Sequence, residues 1–341
     1  MPGDTYPKLK VAAIQASPVF QNREATIEKC AQLIEEAAKN GAKIATFSEG
    51  FISGFPRNST FETPEITRRK YLDLFKNALE IPGKDTDILC EVARQNDIIV
   101  VAGANEKEHG RIGTVYNTQL FIGSNGQILG KHRKLVPTFT EKLIYGGGDG
   151  STLNAFDTQY GRIGGLICGE HNNALEKFAM YASGEVIHVA SWPPFPKPKM
   201  AAHGDYVKFA TRQYALEGKS FVIAPTGFFS KEMLEEISPQ FREGLTPSAE
   251  PSLIVSPQYG KVIAEASGDR EMIIYGEIDL AEGIPVRLMH DTTGHYNRFD
   301  VLSLNINRKK LEAVRQTGQE AQDEVIGVTG ESKEVEKIPD L

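Results

Sequence analysis

Apolar and polar positions along the chain follow two patterns in turn. Residues 8–16 form a short apolar run typical of a buried strand, and residues 23–39 repeat apolar side chains at helical spacing. Asn40-Gly41 ends that helix, because glycine readily adopts the left-handed conformation. The strand pattern returns at 43–47, 98–102, 162–167, 186–190 and 220–224, and the helical pattern at 85–96, 173–183 and 206–217. This alternation favours sheets covered by helices.

Two predicted hairpins interrupt the alternation. In the first, segments 116–122 and 127–131 flank Asn125-Gly126, a pair that tolerates positive φ in a tight turn. In the second, segments 252–256 and 261–264 flank another glycine-containing turn. Hairpins among strand–helix units indicate mixed sheets, and a chain of 341 residues is long enough to need two. We therefore predict an α/β protein of two mixed β-sheets faced by helices.

The end of the chain has a different composition, which sets the predicted domain boundary. Residues 312–341 contain no aromatic residue, and their eight acidic and three basic side chains give a net charge of −5 out of −7 for the whole chain. Such a composition is typical of a solvated, disordered tail. The alternative is an arm ordered by contacts with another subunit. We predict one domain, residues 1–311, followed by this acidic tail.

The overall composition excludes several classes of protein. The net charge of −7 provides no basic patch for nucleic acid or an anionic membrane surface. The longest clean apolar run, residues 98–104, is too short to cross a bilayer, and residues 1–10 lack the apolar core of a signal peptide. Cys30, Cys90 and Cys168 cannot all pair within the chain, and their spacing is unlike a zinc site. We therefore expect a reduced, cytoplasmic protein.

Cys168 is the first candidate for chemistry. It follows the apolar strand 162–167 and precedes a new helix, so we expect it at an exposed strand-to-helix turn. Backbone N–H groups just beyond such a turn can meet a developing negative charge. The competing interpretation is a buried, inert cysteine. Cys30 and Cys90 lie on helix faces among apolar neighbours, so packing explains them.

An active thiol near its usual pKa needs a base or a cation close by. His171, three residues beyond Cys168, could form a Cys-His pair or half of a metal site. A single C-x-x-H is weak evidence, however, and favours a histidine on the surface or in a supporting position. Glu49 and Lys134 each follow a predicted strand, as Cys168 does. All three could meet at one edge of a sheet, although spacing alone does not show that they do.

Five segments resemble motifs of the nitrilase branch of the carbon-nitrogen hydrolase superfamily. Residues 47–56 resemble its glutamate motif, 131–138 its lysine motif and 164–170 its cysteine motif. Residues 146–150 resemble the glycine-rich segment after the lysine motif, and 294–296 a further signature. The resemblance covers about residues 8–306, with the motifs in the expected order. It implies a four-layer α-β-β-α sandwich that needs neither a metal nor an organic cofactor.

The resemblance also implies roles for four residues. Glu49 would be the general base, Cys168 would attack a nitrile carbon to give a covalent thioimidate, and Lys134 would stabilise the negative charge developing on nitrogen. Water would then displace ammonia to leave a thioester, and a second water would release the carboxylic acid. Glu141 matches a second glutamate of the family, which positions the lysine and the water.

Two further positions indicate a subgroup and a substrate class. Many nitrilases have tryptophan at the position of Gly169, and the glycine found here is closer to the arylacetonitrilase and cyanide hydratase groups. Trp192 lies in a segment that also resembles theirs. Both are predicted to contact the substrate, with Trp192 as an aromatic wall suited to arylaliphatic nitriles and core packing as its competing interpretation. Relatives of this type assemble as dimers that extend into spirals, and segment 229–249 resembles the insertion involved. We expect a homo-oligomer larger than a dimer that binds a small nitrile.

The leading prediction is a nitrilase that converts an organic nitrile to its acid and ammonia. The same residues could serve an amidase, or a cyanide hydratase that stops at the amide, because acid and amide formation share one tetrahedral intermediate. A non-catalytic scaffold would be expected if Glu49, Lys134 or Cys168 had been replaced, and none has been.

Overall fold

The computed structural model describes residues 3–56, 63–196 and 204–312. Met1–Lys310 forms one compact unit and Leu311–Leu341 a second. Only the first two residues of the second unit are described, so the acidic tail predicted at 312–341 lies almost entirely outside the described residues. The division into one domain and a tail therefore stays a prediction.

The secondary structure follows the predicted alternation closely. The strands are β1 Lys8–Gln15, β2 Ala42–Phe47, β3 Ile99–Lys107, β4 Val115–Ile122, β5 Ile128–Arg133, β6 Tyr145–Gly146, β7 Ile163–Ile167, β8 Ile187–Ser191, β9 Phe221–Ala224, β10 Leu253–Val255, β11 Val262–Glu265 and β12 Met272–Asp279. The α-helices are α1 Arg23–Lys39, α2 Pro64–Asn77, α3 Lys84–Gln95, α4 Ala174–Ala182, α5 Gly204–Gly218, α6 Lys231–Glu235, α7 Pro239–Arg242 and α8 Gly283–Met289. Within the described ranges, no helix is long and apolar enough to cross a membrane.

The strands form two mixed sheets, as predicted. The larger has the order β12-β1-β2-β3-β4-β5, with the short β6 beside β4, and the smaller has the order β11-β10-β9-β8-β7. The first three strands of the chain are parallel, and so are β7, β8 and β9. The remaining strands of each sheet's main path pair antiparallel. In the turn between β4 and β5, Gly126 has φ +79°, which the predicted Asn-Gly turn requires.

Alternating residues of the strands separate the core into layers. Val11 of β1 faces the other sheet and belongs to one buried cluster with Ile187 of β8. The next residue, Ala12, points the opposite way and belongs to a cluster with Ile34 of α1. Helices α4 and α5 cover the outer face of the smaller sheet in the same manner. The period-two pattern therefore builds the predicted four-layer α-β-β-α sandwich.

Two substantial elements, β12 and α2, were not among the predicted ones. In β12, Ile274 and Ile278 are buried between more exposed neighbours, so a period-two signal is present in its sequence. Helix α2 buries little besides Lys70 and Leu74, so its apolar stripe is weak. Its start is marked by Thr63, whose hydroxyl accepts a hydrogen bond from the first turn, and by Pro64 at the first helical position.

Candidate active site

Three strand ends meet at one site. Glu49 lies two residues past β2, Lys134 directly follows β5, and Cys168 directly follows β7. Lys134 Nζ lies 2.8 Å from Glu49 Oε1. Cys168 is close enough to both groups for their charges to shift the pKa of its thiol. The structure therefore brings together the three residues whose convergence spacing alone did not show.

Lys134 is the cation of this site. Its Nζ atom donates hydrogen bonds to Glu49 Oε1 and Glu141 Oε2, both at 2.8 Å, and its side chain is fully buried. Its backbone N–H donates to the carbonyl of Asn117 in β4 at 2.8 Å, which holds the residue beside the sheet. Burial opposes the charged ammonium, but the charges of Glu49, Cys168 and Glu141 raise its pKa above the ordinary value. The amine therefore remains protonated at neutral pH.

Glu49 is a buried carboxyl group with an incomplete set of partners. Its Oε1 accepts from Lys134 and, at 2.6 Å, from the side-chain amide of Asn117, whereas its Oε2 accepts no hydrogen bond from the described residues. Its backbone N–H donates to the Trp192 carbonyl at 3.2 Å, which fixes the turn that carries it. Burial and the charge of Glu141 raise the pKa of Glu49 to about 7, although Lys134 acts in the opposite direction. A carboxyl group whose pKa is close to neutral pH can both accept and return a proton.

Cys168 begins a tight turn with an unusual backbone. Its φ is +49°, in the left-handed region that cysteine rarely adopts, and it opens the 3-10 turn Cys168–Asn172. The predicted strand-to-helix turn is confirmed, but the side chain at its start is buried rather than exposed. Burial and the charge of Glu49 raise the pKa of the thiol well above its ordinary value, against the effects of Lys134 and the Gly169 N–H. The resting group is a protonated thiol, which must give up its proton as it attacks.

Glu141 is the second carboxyl group that accepts a hydrogen bond from Lys134. It belongs to the 3-10 turn Phe139–Leu143, and its Oε2 accepts from Lys134 Nζ and from the Thr138 backbone N–H at 3.0 Å. The side chain is 12% exposed, so it stands between the buried centre and the surface. One ammonium is thus shared by two carboxylates, which leaves an excess of negative charge.

The two residues predicted to contact substrate occupy different surroundings. At Gly169, an added β-carbon would lie 2.8 Å from Thr138 Oγ1. Glycine therefore lets the loop that follows Lys134 approach the cysteine turn closely. Trp192 is fully buried, with its ring stacked 5.0 Å from His171 and edge-on to Tyr206 at 5.5 Å. The packing interpretation of Trp192 therefore has direct support, and contact of either residue with substrate stays a prediction.

Asn117, His132 and Glu170 support the site but were not singled out from the sequence. Glu170 accepts from the backbone N–H groups of Ile167 and Leu135, each at 2.8 Å, and pairs with His132 Nε2 at 2.9 Å. Burial would raise the pKa of Glu170, but the charge and hydrogen bond of His132 lower it below the ordinary value. Glu170 thus ties the cysteine turn to the lysine strand. Its place inside the cysteine motif is the signal that could have identified it.

His171 is neither the base of a Cys-His pair nor a surface residue. The side chain is buried, and its Nδ1 lies 2.9 Å from the carbonyl oxygen of Cys168 rather than serving as a base for the thiol. Burial and the nearby His188 lower its pKa to about 3, so it is neutral. Among the described residues, no group of three or more histidine, cysteine or acidic side chains is arranged to hold a metal ion.

Comparison with known proteins defines the class. The profile of the carbon-nitrogen hydrolase family matches residues 10–288, a range that contains Glu49, Lys134 and Cys168. The chain therefore belongs to the carbon-nitrogen hydrolase family and is a hydrolase that acts on carbon–nitrogen bonds.

Individual relatives narrow this class to a branch. The chain is 36% identical over 323 residues to a nitrilase of Bacillus sp. (strain OxB-1), covering 94% of each chain. It is also 36% identical over 311 residues to an aliphatic nitrilase of Rhodococcus rhodochrous, covering 89% of this chain and 84% of the relative. These similarities place it in the nitrilase branch of the superfamily. The fold is shared by the crystal structure of a carbon-nitrogen hydrolase from Helicobacter pylori G27, with a TM-score of 0.71, 21% identity, and coverage of 86% of this chain and 97% of that one.

Proposed function

We propose that Cys168, Glu49, Lys134 and Glu141 hydrolyse an organic nitrile to its carboxylic acid and ammonia. The observation that carries this proposal is the Lys134 ammonium held between two carboxylates beside a buried thiol. A nitrile has no leaving group at the first step, so the enzyme must supply a nucleophile, a proton acceptor and a cation for the nitrogen. The site places one group of each kind together.

The first step forms a covalent thioimidate. Glu49 takes the thiol proton as the Cys168 sulfur bonds to the nitrile carbon, and one electron pair of the carbon–nitrogen triple bond moves to nitrogen. Lys134 meets the negative charge that develops there, and the nitrogen is protonated by the acid form of Glu49. The raised pKa of Glu49 suits both halves of this transfer, because the group must accept and then release a proton.

Two water molecules complete the reaction. Glu49 takes a proton from the first water as the water oxygen bonds to the thioimidate carbon, and returns it to the nitrogen to give a tetrahedral intermediate. As this intermediate collapses, Glu49 passes the hydroxyl proton to the amino group, the carbon–nitrogen bond breaks and ammonia leaves. The resulting thioester is attacked by the second water, and the carbon–sulfur bond breaks to release the acid and restore the thiol. Glu141 keeps Lys134 in place through both tetrahedral stages, since it accepts a second hydrogen bond from the same ammonium.

The proposed substrate class is arylaliphatic nitriles. Trp192, Tyr206 and Phe195 belong to the same apolar cluster as Cys168, which gives this side of the nucleophile an aromatic character. Aromatic side chains pack well against a phenyl group through offset and edge-on contacts. Aliphatic nitriles are the second candidate, because the Rhodococcus relative carries that activity in its name.

Self-association is also part of the proposal, with a homo-oligomer larger than a dimer in a reducing cytoplasm. Segment 229–249 is a loop whose two ends are joined by backbone hydrogen bonds between Phe229 and Ser248. It contains the short helices α6 and α7 and presents charged residues such as Lys231 and Glu235 on the surface. The three cysteines are free thiols. Light scattering at micromolar concentration should give a mass above that of a dimer, and a monomeric mass would refute the assembly.

Ammonia and product release from phenylacetonitrile, cyanide and a small aliphatic amide, assayed side by side, test the proposed activity. We expect phenylacetic acid with stoichiometric ammonia, no turnover in Cys168→Ala, and unchanged turnover in Cys90→Ala. Amide accumulation, or turnover of cyanide alone, would make the enzyme a hydratase with the same site. Hydrolysis of the amide alone would make it an amidase, and inactivity of the wild-type chain on all three compounds would contradict the proposed substrates.

A further inference from the structure

A chain of buried hydrogen bonds leads away from the cysteine turn. Its first link joins the Cys168 carbonyl oxygen to His171 Nδ1 at 2.9 Å. The second joins His171 Nε2 to His188 Nε2 at 3.0 Å, and the third joins His188 Nδ1 to Glu185 Oε2 at 2.9 Å. Glu185 also accepts a hydrogen bond from the hydroxyl of Tyr214. We call these four residues, His171, His188, Glu185 and Tyr214, the relay.

The first two links of the relay each fix the position of a proton. The Cys168 carbonyl has no hydrogen, so His171 Nδ1 must donate to it. His171 is neutral, because burial and the charge of His188 lower its pKa to about 3, so its Nε2 is bare and His188 Nε2 must donate. The remaining link then needs one proton between His188 Nδ1 and Glu185. In the first two links, both donors therefore point toward the nucleophile.

The rings of the relay are also fixed by packing. His188 stacks on Tyr214 with ring centroids 3.7 Å apart, and His171 stacks on Trp192 at 5.0 Å. His188, Glu185 and Tyr214 are fully buried. Burying three ionisable groups carries a desolvation penalty that apolar side chains of similar size would avoid. General stability is therefore a poor explanation for this arrangement, and a role at its open end, Cys168, is a better one.

The relay ends at the carbonyl oxygen of Cys168, whose backbone conformation is strained. With φ at +49°, Cys168 holds a conformation that costs about 1–2 kcal/mol in an L-residue, so the surrounding structure must maintain it. The direction of its carbonyl sets the direction of the following peptide, whose Gly169 N–H hydrogen-bonds the sulfur. A fixed donor at this carbonyl therefore fixes both the thiol and the N–H group beside it.

We propose that His171 is a positioning residue for the Cys168 nucleophile, and that His188 and Glu185 act through it by fixing its tautomer and ring orientation. The inference rests on the proposed role of Cys168. It adds a second support to the cysteine turn, distinct from the ties that Glu170 makes to the lysine strand.

The test compares His171→Asn with His171→Leu, two side chains of similar size. An asparagine amide can donate to the Cys168 carbonyl, whereas leucine fills the space and cannot donate. We expect kcat to fall about 100-fold in His171→Leu and less than about 10-fold in His171→Asn, with KM within about threefold in both. The rate at which iodoacetamide alkylates Cys168, followed by peptide mass spectrometry, should fall in the same order. Melting temperatures measured alongside separate this effect from unfolding.

His188→Leu examines the second link and should lower kcat by about 10-fold, since His171 keeps its own donor but loses its fixed orientation. Tyr181→Phe is the matched control, because Tyr181 packs on Tyr214 and its hydroxyl bonds to Glu217 outside the relay. Its kcat should be unchanged. If both His171 variants fail to fold, His188→Leu against this control decides the question.

The proposal is overturned if folded His171→Leu and His171→Asn have the same kcat, or if His188→Leu matches Tyr181→Phe. Loss of activity in Cys168→Ala together with full activity in His171→Leu would leave the proposed nucleophile intact and remove only the positioning role.

Discussion

Successive residues of one short segment, Lys131 to Lys134, serve two ion-pair clusters of different character. Lys131 and Arg133 bind Glu106, which we call the structural cluster, while Lys134 binds Glu49 and Glu141, which we call the catalytic cluster. The alternation of a β-strand sends neighbouring side chains to opposite faces, so basic residues next to each other in sequence meet separate partners.

The structural cluster is rich in hydrogen bonds and balanced in charge. Glu106 accepts from Lys131 and Arg133, both at 2.5 Å on Oε1, and Thr118 donates to Oε2 at 2.6 Å. Arg133 also bonds Glu108 at 2.9 Å. Burial would raise the pKa of Glu106, but these hydrogen bonds and charges hold it below the ordinary value. The carboxylate stays ionised, which suits a structural ion pair.

The catalytic cluster has one cation for two carboxylates, and Glu49 Oε2 lacks a hydrogen-bond donor among the described residues. Burial, the largest effect, and the charge of Glu141 raise the pKa of Glu49 to about 7, whereas the hydrogen bonds and charges of Arg133 and Lys131 lower that of Glu106 despite its burial. Two buried glutamates thus acquire opposite pKa shifts, because the nearby cations outweigh burial at Glu106 but not at Glu49. A pKa near neutrality suits the role of base that we propose for Glu49.

The largest contrast between the clusters is expected for Lys134→Met against Lys131→Met. Lys134→Met removes the charge that faces the reacting nitrogen, so the rate of hydrolysis should fall about 10³-fold. Lys131→Met should lower the melting temperature and leave the rate per folded molecule within about twofold, because Arg133 still pairs with Glu106. Ammonia release and differential scanning calorimetry measure the two effects. Equal losses of activity in the two variants would erase the distinction.

Glu49→Gln should mainly reduce activity, whereas Glu106→Gln should mainly reduce stability. Glu49→Gln removes the proton acceptor and should lower kcat by at least about 10²-fold with little loss of stability. Glu106→Gln leaves Lys131 and Arg133 without a buried anion and should lower the free energy of unfolding by about 3 kcal/mol. Because the pKa of Glu106 is lowered by folding, this stabilisation is present above the usual carboxyl pKa and is lost as the pH falls through the lowered value. Urea unfolding at several pH values measures it.

A smaller effect is expected in the pH profile of kcat/KM. Glu49 must be ionised to accept a proton, so activity should rise with pH through about 7. Glu141→Gln removes a negative charge that raises the pKa of Glu49, so the rise should move about one unit to lower pH. Asn117→Leu removes a hydrogen bond that lowers this pKa, so the rise should move to higher pH. Shifts in the same direction in both variants would contradict this assignment of the limb.

The smallest effect on activity is expected for Cys30→Ala, which tests whether position rather than residue type makes Cys168 reactive. Cys30 is fully buried on α1, and its loss should cost about 1 kcal/mol of stability through a small cavity, with kcat unchanged. Thermal unfolding and ammonia release provide the measurements. A substantial fall in kcat here would mean that the thiols are not functionally separate.

The fold was largely predictable because strong periodicity marks most of its elements. Helix α1 buries Ile27, Cys30 and Ile34 on one face, and its predicted ends agree with the structure. Helix α2 buries only Lys70 and Leu74, so its start signals, Thr63 and Pro64, are its clearest marks in the sequence. Strand β12 has an alternating pattern but no hairpin turn beside it, because its partner β1 lies at the other end of the domain sequence.

The site was predictable in its residues but not in its geometry. Glu49, Lys134 and Cys168 were identified from motif resemblance, yet nothing local to Glu49 indicates that Asn117, 68 positions away, would hold its carboxyl group. The same applies to His188, which acts on the cysteine turn only through His171. Such partners arise from strand register, which tertiary packing decides.

The pairing of β1 with β12 has a consequence for how the protein is made. Lys8 lies opposite Asp279 and Gln15 opposite Met272, so β1 leaves the ribosome long before the strand that pairs with it. Until then β1 has an unpaired edge that is open to other extended chains. Contacts of such long sequence separation slow folding and prolong this exposure. Synthesis and folding of the larger sheet are thus coupled through the pair of neighbouring strands that lie farthest apart in the sequence.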